Sequence, residues 1–309
     1  MAEEHHGHSH SHSIDPSQVN HLSFLIGIGL NVLFVVVELI AGFINNSMAL
    51  LTDAGHNASD VASLLLSLLA FRLARKRPTR THTYGYKKTT VLAALTNAVI
   101  LLIAIGVLGY ESITRLWHPA PVEGGTIAWV AGVGILINTI SALMFYRNRH
   151  SDLNVRSAYL HLLADALVSI GVVIGGVLIA MTGLYWIDPA LGLVVMVVIL
   201  FSTWSLLRDS FRMAVDAVPA DVSLDEITTI MRKVKNVTRV RHVHIWSLST
   251  TENALTALIT VDDRLPFEEK LQVVQQVKHE LAHHNIHHST LELETGHQQH
   301  DYLETKPAH

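Results

Sequence analysis

The 309-residue chain contains no cysteine, which excludes disulfide bonds and thiolate metal ligands. Only 16% of its residues are charged while 50% are hydrophobic, a balance too apolar for an ordinary water-soluble domain. The formal net charge of −4 lacks the basic excess of nucleic-acid-binding proteins, so no nucleic-acid partner is expected. No P-loop pattern (Gly-x-x-x-x-Gly-Lys-[Ser/Thr]) is present, which disfavours an ATP-driven pump, and no organic cofactor is expected.

Six apolar stretches are long enough to cross a lipid bilayer, whose hydrocarbon core of about 30 Å requires roughly 20 helical residues. They lie at about 22–44, 48–71, 90–112, 126–146, 157–182 and 187–207. Buried helices of a large soluble protein are the alternative, but little amphipathic sequence separates the six stretches. The sequence therefore predicts a membrane all-α bundle of six transmembrane helices.

Lysine and arginine are distributed unevenly among the loops. The segments after spans 2, 4 and 6 are basic, whereas those after spans 1 and 5 have no Lys or Arg and the loop after span 3 has only Arg115. Because basic loops remain on the cytoplasmic side, both termini are expected in the cytoplasm. The acidic, His-rich N-terminus does not resemble a cleavable signal peptide, so we expect a multi-pass protein of the cell inner membrane.

After the sixth span the pattern becomes that of a small α+β domain. A capping-box sequence at Ser223 opens a helix, residues 240–246 alternate as in a strand, and residues 267–284 again have a helical period. Together with strands at 254–261 and 290–294, the predicted order is αββαβ. The predicted segments are a His-rich, disordered cytoplasmic N-terminus (1–20), a transmembrane transport domain (21–215), a cytoplasmic metal-binding domain (216–295) and a His-containing tail (296–309).

Spans 2 and 5 each carry a histidine and an aspartate four residues apart, namely His56 and Asp60, and His161 and Asp165. At this spacing the two side chains of each pair share one helix face. The spans run in opposite directions and both aspartates fall near mid-bilayer, so four ligands can converge if the helices are neighbours. Two imidazoles and two carboxylates suit a tetrahedral ion such as Zn²⁺, with Co²⁺ possible and Cd²⁺ a competitor. Hydrogen bonding that merely holds the helices together is the alternative, although a carboxylate at mid-bilayer costs at least ~2.5 kcal/mol and normally has a function.

Longer stretches around these residues resemble the cation diffusion facilitator family and, within it, the bacterial zinc-efflux branch. The similar stretches, within a resemblance that covers about residues 20–295, are Ser47–His56, His82–Tyr86, Asn154–His161 and His244–Leu248. The resemblance implies a homodimeric metal/proton antiporter that exports Zn²⁺ from the cytoplasm. It further implies that His56, Asp60, His161 and Asp165 form the transport site, and that the cytoplasmic domain is ferredoxin-like.

The same resemblance implies two further metal sites, which the chain matches only in part. His244, His287 and Glu294 fit the site of the cytoplasmic domain, but residues 258–260 are apolar or hydroxylic where another ligand would stand. In the loop between spans 2 and 3, His82 matches one ligand while Thr79 and Tyr86 occupy other ligand positions.

Two functions of other classes use the same transmembrane site. A membrane-bound metal sensor would signal through the cytoplasmic domain, but the sequence has no kinase-like, nucleotide-binding or DNA-binding pattern to act as an output. A passive metal channel would conduct without proton coupling. The N-terminal histidines are consistent either with weak metal capture or with a solvated tail; they are His5, His6, His8, His10 and His12.

Overall fold

The computed structural model describes residues 21–146 and 153–294, so the predicted segments 1–20 and 296–309 lie outside the described residues. The elements are α1 His21–Ile44, α2 Met48–Ala74, α3 Thr89–Trp117, α4 Gly124–Tyr146, α5 Leu153–Thr182, α6 Ile187–Ala214, α7 Leu224–Lys233, β1 Val237–Ser247, β2 Asn253–Val261, α8 Phe267–His283 and β3 Ile286–Glu294. Six long helices thus precede an αββαβ domain, which confirms the predicted fold class.

The long helices have the length and the surface of membrane spans. Five of those described, α2 to α6, are long and apolar enough to cross a bilayer, and α1 has 24 residues with a shorter apolar stretch at Asn31–Ile44. Large apolar side chains such as Phe43, Ile103 and Trp129 are more than half exposed. Exposed apolar surface of this extent is unfavourable in water but is what a lipid-facing helix requires.

A carboxylate from α6 fixes the start of α2. Asp188 is buried, and its oxygens accept hydrogen bonds from the Ser47 hydroxyl (2.5 Å), the Met48 amide (2.6 Å) and the Ala49 amide (3.3 Å). The first amides of a helix have no partner within the helix, so Asp188 supplies an N-terminal cap from a distant part of the chain. The helix that carries His56 is thereby anchored to α6.

Small residues allow α4 and α5 to approach backbone to backbone. A Cβ atom placed on Gly176 would lie 2.7 Å from the Ala128 nitrogen and 2.8 Å from the Gly124 oxygen. Such close crossings are typical of membrane helices, where small residues let dispersion contacts form along the backbone. The contact positions α5, which carries His161.

The C-terminal domain has one three-stranded sheet in the order β1-β2-β3, with β1 and β2 antiparallel and β2 and β3 parallel. The Ser223 hydroxyl caps α7 by accepting from the Glu226 amide at 3.3 Å, as its sequence pattern predicts. Apolar side chains of α7 and α8 pack with the strands into a single buried cluster; it includes Met231, Leu255, Ile259, Val277 and Leu281.

The chain divides into two compact units. One contains the residues up to Ala70 and Ala93–Arg208, and the other contains Phe71–Leu92 and the residues from Asp209 onward. Within the second unit, the ammonium of Lys88 donates to the Met213 carbonyl (2.8 Å), the Asp216 carboxylate (2.5 Å) and the Ser247 carbonyl (2.9 Å). The loop between α2 and α3 is therefore held against the C-terminal domain.

Candidate metal centre

Four side chains from α2 and α5 converge inside the first unit. One ligand atom from each of His56, Asp60, His161 and Asp165 can be chosen so that all four lie within 4.8 Å of one another. The His161 Nε2 atom lies 3.0 Å from the Asp60 Oδ2 atom and 3.5 Å from the Asp165 Oδ2 atom. The His56 Nε2 atom lies 3.5 Å from the Asp165 Oδ1 atom and 3.8 Å from the Asp60 Oδ2 atom. Each imidazole therefore faces both carboxylates.

These separations are close to those of a four-coordinate ion. Bonds of about 2.0–2.1 Å at a tetrahedral angle place neighbouring ligand atoms about 3.3–3.4 Å apart. The four His–Asp separations of 3.0–3.8 Å bracket that value, and all four ligand atoms lie within 4.8 Å of one another. Two nitrogen and two oxygen ligands suit Zn²⁺, whereas Ca²⁺ and Mg²⁺ prefer oxygen ligands alone.

The four ligands differ in exposure along the helix axes. The side chains of Asp60 and His161 are 41% and 36% exposed, while those of His56 and Asp165 are 14% and 10% exposed. Asp60 lies one turn nearer the C-terminal end of α2 than His56, and His161 lies one turn nearer the N-terminal end of α5 than Asp165. The more exposed pair of ligands therefore lies nearer the end of the bundle where α2 finishes and α5 begins than the more buried pair does.

Buried polar contacts around the cluster connect α2 to its neighbours. Glu38 on α1 is fully buried and accepts a hydrogen bond from the side-chain amide of Asn57 at 3.1 Å, next to His56 in the chain. Asp53 on α2 is also buried and accepts from the Ser169 hydroxyl on α5 at 3.5 Å. The sequence marks Glu38 and Asp53 as polar residues in apolar spans, but their partners are not visible in any local pattern.

The three residues suggested for a cytoplasmic-domain site are not brought together within one chain. His244 and His287 are exposed, whereas Glu294 is buried in an ion pair with Arg241. His244 pairs with Thr256 of β2, while Glu294 pairs with Thr260. Four residues of strand separate these positions, which is about 13 Å at about 3.3 Å per residue.

His82 lies exposed in the loop between α2 and α3. Its ring stacks on Tyr86 with centroids 4.7 Å apart, and its Nδ1 atom is 3.1 Å from the Thr81 hydroxyl. Across residues 21–146 and 153–294, the cluster on α2 and α5 is the only group of three or more His, Asp or Glu side chains arranged to hold a metal ion. His82 therefore belongs to no group of three or more such side chains in the described part of the chain.

A helical bundle with a His₂Asp₂ cluster among its apolar helices is the arrangement expected of a membrane protein that handles transition-metal cations. Residues 24–213 match the family described as "Cation efflux transmembrane domain", and residues 219–295 match "Cation efflux protein, cytoplasmic domain". The chain therefore belongs to the cation efflux family, and the resemblance seen in the sequence is confirmed.

Relatives in this family match nearly the whole chain. It is 36% identical over 292 residues to the zinc transporter ZitB of Escherichia coli (strain K12), and the aligned region covers 94% of this chain and 92% of that protein. It is 33% identical over 298 residues to a "Cadmium, cobalt and zinc/H(+)-K(+) antiporter" of Bacillus subtilis (strain 168), at 96% and 94% coverage. It is 34% identical over 290 residues to the metal cation efflux system protein CzcD of Cupriavidus metallidurans, at 93% and 90% coverage.

Proposed function

We propose that this protein exports Zn²⁺ from the cytoplasm in exchange for protons, with Co²⁺ and Cd²⁺ as competing substrates. The observation that carries the proposal is the convergence of His56, Asp60, His161 and Asp165 within 4.8 Å inside the membrane bundle. The names of the relatives, a zinc transporter and an antiporter of cadmium, cobalt and zinc, agree with this chemistry.

Proton exchange follows from the chemistry of the ligands. Zn²⁺ binds only to the unprotonated nitrogen of histidine and to ionised carboxylate, so metal and protons compete for the same lone pairs. His161 Nε2 and Asp60 Oδ2 are 3.0 Å apart, a hydrogen-bonding distance at which one proton is shared between them. A metal ion that binds both atoms displaces this proton. Each transport step therefore exchanges one cation, the metal ion, for another, the proton.

The direction of transport rests on the orientation expected from the loops. Because the segments after spans 2 and 4 are basic, we expect the C-terminal end of α2 and the N-terminal end of α5 at the cytoplasmic surface. Asp60 and His161, the two more exposed ligands, lie toward that end. In this alternating-access scheme the cluster loads from the cytoplasm, and rocking of the bundle exposes it to the opposite side, where protons displace the metal.

The working unit in this proposal is a homodimer in the inner membrane with both termini in the cytoplasm. The cytoplasmic-domain match at residues 219–295, to a family whose name refers to dimers, supports the homodimer. Metal binding by His244, His287 and Glu294 stays a prediction. To bind a metal ion, Glu294 would have to break its ion pair with Arg241.

The test is zinc uptake into proteoliposomes driven by an imposed pH gradient. We expect uptake by the unsubstituted protein that rises with the gradient and is abolished by His161→Ala combined with Asp165→Ala. His118→Ala, which removes an exposed histidine outside the cluster, is the matched control and should retain uptake. Undiminished uptake by the double variant would refute the site.

The same assay separates the alternatives. Uptake that persists at equal pH on both sides and does not respond to the gradient would indicate a passive channel. Zinc binding without any uptake in reconstituted vesicles would indicate a sensor.

A further inference from the structure

Two exposed histidines on α8 face each other outside the transmembrane cluster. His279 and His283 are one helical turn apart and share one face of the helix. Their Nε2 atoms lie 3.3 Å from each other, and their rings meet at 83° with centroids 4.7 Å apart. The two nitrogens are therefore close enough for one ligand beside the helix to contact both.

The separation of the two nitrogens is that of two imidazoles on one metal ion. Metal–nitrogen bonds of about 2.0–2.1 Å at a tetrahedral angle place the nitrogens about 3.3–3.4 Å apart. His283 also lies in the last turn of α8, where the free carbonyls of a helix carry partial negative charge and favour a cation. Geometry and local field thus both favour a positively charged ligand.

We propose that His279 and His283 chelate one divalent transition-metal ion on the C-terminal domain. The helix fixes the two histidines one turn apart, so only their side-chain rotamers have to be ordered when the ion binds. Water completes the coordination shell, because both side chains are exposed. Cu²⁺ is expected to bind more tightly than Ni²⁺ or Co²⁺, in the usual order for nitrogen ligands.

This site is independent of the proposed transport function. It lies in the second unit, whereas the cluster on α2 and α5 lies in the first. Its two protein ligands leave the remaining positions to water, so the ion exchanges readily, as in a capture site rather than a structural one. His284, the next residue in the chain, caps α8 and is not part of the pair, which makes it a matched control.

The test uses the full-length protein in detergent with Zn²⁺ as the probe. Diethyl pyrocarbonate modifies free imidazole nitrogens, and mass spectrometry of peptides reports each histidine separately. We expect Zn²⁺ to protect His279 and His283 together, with one half-saturating concentration. His279→Gln should abolish protection of His283, because the chelate is broken, while His284→Gln should leave it intact.

Three results would overturn the proposal. The first is that His283 stays protected in the His279→Gln variant at the zinc concentration effective in the unsubstituted protein. The second is that zinc protects neither residue in the unsubstituted protein. The third is that His284→Gln loses as much protection of the pair as His279→Gln does. An Asp165→Asn variant should retain protection of the pair even where zinc transport is lost, which separates this proposal from the transport function.

Discussion

The close crossing of α4 and α5 predicts that the same substitution has different effects on stability at two glycines of α5. In Gly176→Ala, the new methyl group would meet the Ala128 nitrogen at 2.7 Å and the Gly124 oxygen at 2.8 Å. These distances are about 0.7 Å below the separation of about 3.5 Å at which heavy atoms pack well. The atoms encountered are backbone atoms, which cannot rotate away, so the two helices must move apart. In Gly171→Ala, by contrast, the added Cβ meets nothing within 4 Å.

Both substitutions gain the higher helix propensity of alanine, but only Gly176→Ala adds a steric clash. Replacing a helical glycine by alanine stabilises a helix by roughly 0.5–1 kcal/mol. Overpacking costs typically about 1–3 kcal/mol, and clashes between two backbones belong to the upper part of that range. We therefore expect Gly176→Ala to be destabilising by about 2 kcal/mol net, and Gly171→Ala to be neutral or stabilising.

The assay is equilibrium or thermal unfolding of the two variants and the unsubstituted protein in the same detergent, with zinc transport measured in parallel. Gly176→Ala should also reduce transport, since a shift of α5 moves His161 relative to Asp60. If Gly176→Ala proved as stable as Gly171→Ala, the backbone contact between α4 and α5 would not exist as described.

Two further substitutions test the anchoring of α2 and the choice of ion. Asp188→Ala leaves the Ser47 hydroxyl and the first amides of α2 buried without their acceptor, and should lower the free energy of unfolding by about 1–3 kcal/mol. Thermal unfolding in detergent measures this loss, and Asp221→Ala, at an exposed position, is the control. Equal stability of the two variants would contradict the cap. His56→Asp replaces the imidazole by a carboxylate; because His rather than Asp at this position goes with zinc preference over cadmium in the family that the sequence resembles, the variant should raise the ratio of cadmium to zinc uptake in proteoliposomes. An unchanged ratio would remove position 56 from the selectivity of the site.

Much of the fold could be predicted from local sequence because its causes are local. The length of each apolar stretch sets where a helix crosses a bilayer, and the His-x-x-x-Asp spacing places both side chains on one face of its helix. The helices nevertheless continue beyond the apolar stretches. For example, α3 ends at Trp117 rather than near 112, because polar residues extend it through pairs such as Glu111 with Arg115 at 2.8 Å.

The C-terminal domain shows where local patterns become insufficient. Strict alternation from 240 to 246 predicts a regular strand, but β1 has an irregular register between Arg241 and His244, and His242 has a φ of 48°. A bulge of this kind is set by pairing with β2, which alternation within one strand does not encode. The ion pair of Arg241 with Glu294 joins residues far apart in the chain and likewise depends on the assembled sheet.

Apolar length and helical or strand periodicity are enough to predict the number and type of the elements, and the ionisable side chains that fall inside apolar spans. The assembled fold was needed to show that Asp60 meets His161 at 3.0 Å, that Asp188 of α6 caps α2, and that Gly176 brings α5 against α4. The physical reason is the range of the forces involved. Helical periodicity and hydrophobic length act over a few neighbouring residues, whereas the meeting of two helices depends on packing and hydrogen bonds between segments distant in the chain.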